Sequence, residues 1–158
     1  MKPSLKSLIT KVRKLHDSNQ QAEALSLADE LIAAHPEEPT VWAARAHLHV
    51  LTNEYANANS DLSIAAELNP GDPYFLFRRG LNHMELANWK AAVSDFTDGL
   101  RLRDPAYELE FRFARAEALV ALGEKKKAVQ DLNGVPNEFA IWTGRMRSQT
   151  ELLSECGH

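Results

Sequence analysis

Three segments of this chain carry the same residues at the same spacing, and that coincidence limits the possible folds more than any other feature. Arg45-Ala46, Ala58 and Asp61-Leu62 recur as Arg79-Gly80, Ala92 and Asp95-Phe96, and again as Arg115-Ala116, Ala128 and Asp131-Leu132. In every copy sixteen residues lead from Arg to Asp, and twelve from the first small residue to the second Ala. The copies follow one another at steps of 34 and 36 residues, and a fainter first copy places Ala24 another 34 before Ala58. Four units result, near 5–38, 39–72, 73–108 and 109–136.

Within each unit the apolar residues fall at three- and four-residue steps, the signature of helices with one packing face. Leu5, Leu8, Ile9, Val12 and Leu15 show it at the start of the chain, opposite a basic face of Lys6, Lys11, Arg13 and Lys14. That stretch reads as the packing helix of the first unit; a membrane-surface helix is the alternative. Small residues such as Ala46 against Ala58, or Gly80 against Ala92, allow two antiparallel helices to approach closely, with Trp42, Leu62, Phe96 and Leu132 filling the space around them. Turns within the hairpins are expected near Asn19, Asn53, Asn88 and Gly123, residue types that tolerate left-handed backbone angles. Pro36, Pro70 and Pro105 end the second helices.

With these residues the chain resembles the tetratricopeptide repeat, a 34-residue helix-turn-helix unit. The second copy matches its pattern with Trp42, Ala46, His49, Ala58, Leu62, Ala65 and Pro70, and the third with Leu76, Gly80, His83, Ala92, Phe96 and Gly99. The departures are histidine at the aromatic position in two copies, Leu119 there in the fourth, and a lengthened third copy before Asp104-Pro105. The expected fold is all-α, a single domain built as a right-handed superhelical array of antiparallel helix pairs. A capping helix over about 138–155 is expected to close it, with Phe139, Trp142, Met146 and Leu153 on one face and Arg145, Gln149 and Glu151 on the other.

Composition narrows the function. The net charge of −4 gives no general attraction to nucleic acid or anionic lipid. Cys156 is the sole cysteine, so no disulfide joins parts of one chain, and a cytoplasmic location is expected. No metal or cofactor is expected. His47 and His49 point to different sides of one helix, and His49 and His83 share a packing position in successive units. Glycine-rich phosphate loops and nucleophile elbows are absent from the sequence, so the chain is not expected to be an enzyme. The Arg/Asp pairs, one in each of the three clear copies, read as ion pairs between the two helices of a hairpin. The basic runs, Lys6 to Lys14 and Lys125-Lys126-Lys127, read as solvated faces.

What the resemblance implies is a concave groove lined by the first helix of each repeat. Carried over position by position, its lining is Lys6, Ile9, Arg13, His16 and Asp17 in the first repeat and Thr40, Ala43, His47, Val50 and Leu51 in the second. The third adds Tyr74, Phe77, Leu81, Met84 and Glu85, and the fourth Glu110, Phe113, Glu117, Val120 and Ala121. Along this lining a basic entrance leads to an apolar and aromatic middle and an acidic far end. The expected function is non-catalytic capture of a partner protein or peptide through an apolar segment, centred on Tyr74, Phe77, Leu81 and Phe113, with adaptor or chaperone-like character. The Lys/Asn clamp by which some family members hold a terminal carboxylate is missing, since Ile9, Arg13, Ala43 and His47 stand at its positions. Alternatives are a self-assembling scaffold subunit, a toxin-neutralising partner or a secretion chaperone, and a groove filled by the chain's own C-terminal helix or by a second copy.

Overall fold

Backbone hydrogen bonding and apolar periodicity together produce helical hairpins in a computed structural model that describes residues 3–143 and 146–157. The helices come in pairs: α1 (Leu5–Asp17) with α2 (Gln21–Ala34), α3 (Pro39–Leu51) with α4 (Tyr55–Leu68), α5 (Pro73–Glu85) with α6 (Trp89–Arg101), and α7 (Glu108–Ala121) with α8 (Lys125–Leu132). Pro39 and Pro73 occupy first helical positions, where a missing N–H costs nothing. Contacts divide the chain into two compact units, Met1–Phe75 and Leu76–His158.

In the first unit, the apolar face of α1 packs as expected. Val12 is buried with Ala24, Ala28, Leu31, Ile32, Val41 and Leu48, and Leu5, Leu8, Ile9 and Leu15 pack around that core. A second cluster joins Ala46, Ala58, Leu62, Ala65 and Phe75. Ala46 and Ala58 are both buried, the close approach that their small size permits.

The second unit is held by aromatic rings. Phe96 and Phe111 are buried, with centroids 6.2 Å apart, and Phe77 lies 6.2 Å and 5.6 Å from them. Two glycines make room for these rings. A β-carbon at Gly80 would stand 2.3 Å from the Phe96 ring, and one at Gly99 2.2 Å from the Phe111 ring. Residues added in the third repeat bring Tyr107 edge-on to Phe77 at 5.8 Å.

Three of the four expected left-handed turn positions are found, at Asn19 (φ 62°), Asn53 (φ 60°) and Gly123 (φ 77°). The third turn differs. Ala87 takes the left-handed angle (φ 54°), while Asn88 is an ordinary N-cap (φ −84°). Repeat spacing outranks residue type here, since Ala87 lies one 34-residue step beyond Asn53. Ala87→Gly is therefore expected to stabilise the protein by about 0.5–1 kcal/mol, because a β-carbon strains this conformation. Urea denaturation checks it, and an unchanged or lower midpoint contradicts it.

The C-terminal segment corrects the expected cap. Instead of one helix over about 138–155, two short strands pair antiparallel, β1 (Ala140–Trp142) with β2 (Met146–Ser148). The helix α9 (Gln149–Cys156) begins only afterwards. Its start is fixed by a capping box in which Ser148 accepts from the Glu151 N–H and Glu151 accepts from the Ser148 N–H. Arg145, expected on the outer face of the cap, lies outside the described residues. Leu152 is fully buried, so α9 does cap the fourth repeat, against α7 and α8.

Candidate functional site

The repeated Arg/Asp pairs are ion pairs between hairpin partners. Arg45 Nε and Nη2 donate to Asp61 at 2.9 and 2.7 Å, Arg79 to Asp95 at 2.9 and 2.6 Å, and Arg115 to Asp131 at 2.7 and 2.5 Å. Two guanidinium groups also reach the preceding hairpin: Arg45 to Asp29 at 2.8 Å, and Arg115 to Thr97 at 3.1 Å. Asp61 raises the Arg45 pKa against an opposing effect of burial, so the cation is fixed. Two-toothed pairing sets the rotational register of one helix against the next, which explains its recurrence.

His49 and His83 fill matching positions beside these pairs. Their Nε2 atoms lie 3.8 Å from Asp61 and 3.9 Å from Asp95, and His49 Nδ1 lies 2.9 Å from Glu54. Burial pushes the His83 pKa below its ordinary value; Asp95 opposes that shift and Arg79 adds to it. Both histidines belong to hairpin packing. Among the described residues no group of three His, Cys, Asp or Glu side chains is arranged to hold a metal ion. Burial raises the Cys156 pKa, away from the reactive thiolate.

The expected groove residues divide between the two units. In the first, Arg13 on α1 is exposed, and His16 on α1 and His47 and Val50 on α3 are partly exposed. Leu51 is 44% and Tyr74 36% exposed, both large apolar surfaces open to solvent. Tyr74 stands edge-on to the buried Phe75 at 5.6 Å. His16 Nδ1 is shielded from solvent without a hydrogen bond, its nearest carboxylate being Asp17 at 3.9 Å. This face is cationic, partly apolar and holds one unsatisfied polar atom.

In the second unit three of the corresponding positions are closed. Phe113 is fully buried, its ring 5.7 Å from that of Phe139. Glu117 is 4% exposed; it accepts from Arg147 Nη2 at 2.6 Å and Nε at 3.1 Å, and from the Thr143 hydroxyl. Met84 is 5% exposed in a cluster against which Ile141 also packs. These three expectations are corrected: the β1–β2 hairpin lies on α7 at Phe113 and Glu117, and Met84 on α5 is buried in the unit's own aromatic cluster. Phe77 and Leu81 are partly buried around the same aromatic cluster, and Glu110 is half-buried. Phe77 thus serves the unit's own packing.

The residues that matter here and that sequence reasoning does not single out are Ile141, Thr143, Arg147 and Glu155; Phe139, expected on a capping helix, instead precedes β1. Arg147 also donates to Glu155 on α9. Burial opposes the charge on Arg147, but its hydrogen bonds to Glu155 and Glu117 prevail and raise its pKa. One legible signal is Ser148 followed three residues later by Glu151, a helix start at 149. Another is the β-branched Ile141 and Thr143 beside Gly144.

Hairpins in register, an Arg/Asp ion pair in each of the last three and a capped last repeat together give this chain the fold of a tetratricopeptide-repeat array. No family model matches the sequence. It is 31% identical over 138 residues to the protein SGT1 homolog of Homo sapiens, an alignment covering 83% of this chain and 36% of that protein. The chain spans about a third of the length of the curated relatives it matches. Among solved structures it is similar to YrrB, described as a TPR protein with an unusual peptide-binding site, with TM-score 0.68 at 18% identity over 82% of this chain and 66% of that one. It is similar also to MamA from Desulfovibrio magneticus RS-1, with TM-score 0.70 at 14% identity over 82% and 72%. At these identities the structural likenesses concern the fold. Among the described residues no helix is long and apolar enough to cross a membrane.

Proposed function

We propose that the chain is a non-catalytic, cytoplasmic module that binds a segment of another protein on the face formed by α1 and α3. The observation that carries this reading is the contrast between repeats. Phe113 and Glu117 on α7 are buried beneath the chain's own hairpin, whereas Arg13, His16, His47, Val50 and Leu51 remain at least partly open to a ligand. Leu51 and Val50 offer apolar contact, and Tyr74 at the start of α5 is a further exposed aromatic with a polar tip. Lys6, Arg13 and the histidines favour a segment whose apolar residues are flanked by carboxylates, and they set its direction more than its affinity. Peptide binding described for YrrB and the similarity to SGT1 homologues support a binding role.

The pair Arg13→Glu and Leu51→Glu tests it. Both side chains are exposed, so stability should change by no more than about 0.5 kcal/mol per site. Partners captured by the wild-type chain from its native cell should bind the double variant about tenfold or more weakly in a purified titration. Unaltered affinity would remove the α1–α3 face from consideration.

A further inference from the structure

Outside the Arg/Asp pairs that set register, buried charge gathers at one place in the second unit. Glu117 on α7, Thr143 beside β1, Arg147 on β2 and Glu155 on α9 form a connected network, with Glu117 and Arg147 4% and 8% exposed. Cohesion alone does not call for such a network. Replacing a buried ion pair by well-packed apolar residues is often neutral or stabilising, while a buried pair discriminates strongly between partners. Nor does a repeat of this kind require a cover: Ala43 and His47, which occupy on α3 the positions of Phe113 and Glu117, are partly exposed.

The covering piece has the properties of a docked segment. Its strands are three residues long, and a two-stranded hairpin of that size is marginal in water without a surface to lie on. Buried Val135 anchors the chain before it and buried Leu152 the chain after it, with Gly134 at φ 83° in the approach. Between those anchors the hairpin meets the repeats through Phe139 and Ile141 on apolar surface and through Thr143 and Arg147 on Glu117.

We propose that the inner face of α7 is a second binding site, occupied in cis by the β1–β2 hairpin. Its competing ligand is a protein segment that presents an arginine guanidinium to Glu117 and an aromatic or branched apolar side chain to Phe113. Binding requires the hairpin to lift while α9 stays seated through Leu152. The site lies wholly in the second unit, so its failure leaves the α1–α3 reading untouched.

The probe is a fluorescent synthetic peptide of residues 138–149, titrated by anisotropy into the full chain. A tethered hairpin acts at an effective concentration on the order of millimolar, so the wild-type chain should resist the peptide. Arg147→Glu sets a carboxylate against Glu117 and lifts the hairpin, and this variant should bind the peptide at least about tenfold more tightly than wild type. Adding Glu117→Lys to it restores an attractive pair in cis and should abolish the gain. Equal binding by all three chains, or none by a helical Arg147→Glu chain, overturns the proposal. Hydrogen exchange on the wild-type chain decides the matter even if the variants do not fold. Amides of Ile141 and Arg147 should open before those of Ala116 and Leu119 on α7, and coincident opening of the two sets would make the hairpin a fixed part of the core.

Discussion

Phe96→Ala should lower the unfolding free energy by about 3–5 kcal/mol, among the largest effects of any single substitution in this chain. Its ring is fully buried and touches Phe77 and Phe111, so truncation loses both the transfer free energy and the contacts of an aromatic cluster. The backbone offers little relief, since Gly80 is small in order to receive that ring. Gly80→Ala alone should cost about 1–3 kcal/mol, because its β-carbon falls 2.3 Å from the ring and rings on both sides hold Phe96 in place. The two positions are coupled. Gly80→Ala combined with Phe96→Leu should cost less than the sum of the single changes, a departure readable in a double-mutant cycle by urea denaturation. Strict additivity would mean that Gly80 and Phe96 do not meet as described.

Asp131→Ala should cost about 2–3 kcal/mol. Asp131 is buried and accepts two hydrogen bonds from Arg115, whose remaining partner is Thr97 on the preceding hairpin. Removing the carboxylate leaves a guanidinium only 22% exposed without its counter-charge. Full burial would place the loss near the upper end of what broken internal ion pairs cost, and partial exposure of Arg115 brings it down. Salt should screen the pair only weakly, so wild type and variant should keep their difference in midpoint between low and high ionic strength. A loss below about 0.5 kcal/mol would reduce the recurring pairs to ordinary surface contacts.

Helix pairing is legible in the sequence because it rests on local signals that repeat. Arg45 and Asp61, sixteen residues apart, must meet if two helices fold back on each other, and two further copies of the spacing remove coincidence. The third turn is harder to place because residue type favours Asn88, whereas the repeat frame demands the left-handed angle at Ala87. The C-terminal hairpin is hidden for another reason. Phe139, Trp142 and Met146 fall at three- and four-residue steps and mimic a helix face, and strands of three residues are too short to show their own alternation. Phe113 and Glu117 have the right positions for a groove, but their exposure depends on Phe139, Ile141 and Arg147, which follow much later in the chain. Local pattern places these residues on the inner face of a helix; only the folded chain shows that the face is covered.

Hydroxyl-radical footprinting of the intact native protein, resolved by mass spectrometry, tests the open first face and the covered second one together. Tyr74 and Leu51 should oxidise rapidly. Met84 and Phe113 should be protected although methionine and phenylalanine are reactive side chains, because the aromatic cluster keeps water from the first and the hairpin from the second. Oxidation of Met84 and Phe113 at the rate of Tyr74, or protection of Tyr74 and Leu51, would contradict the division of the repeats into a covered face and a free one.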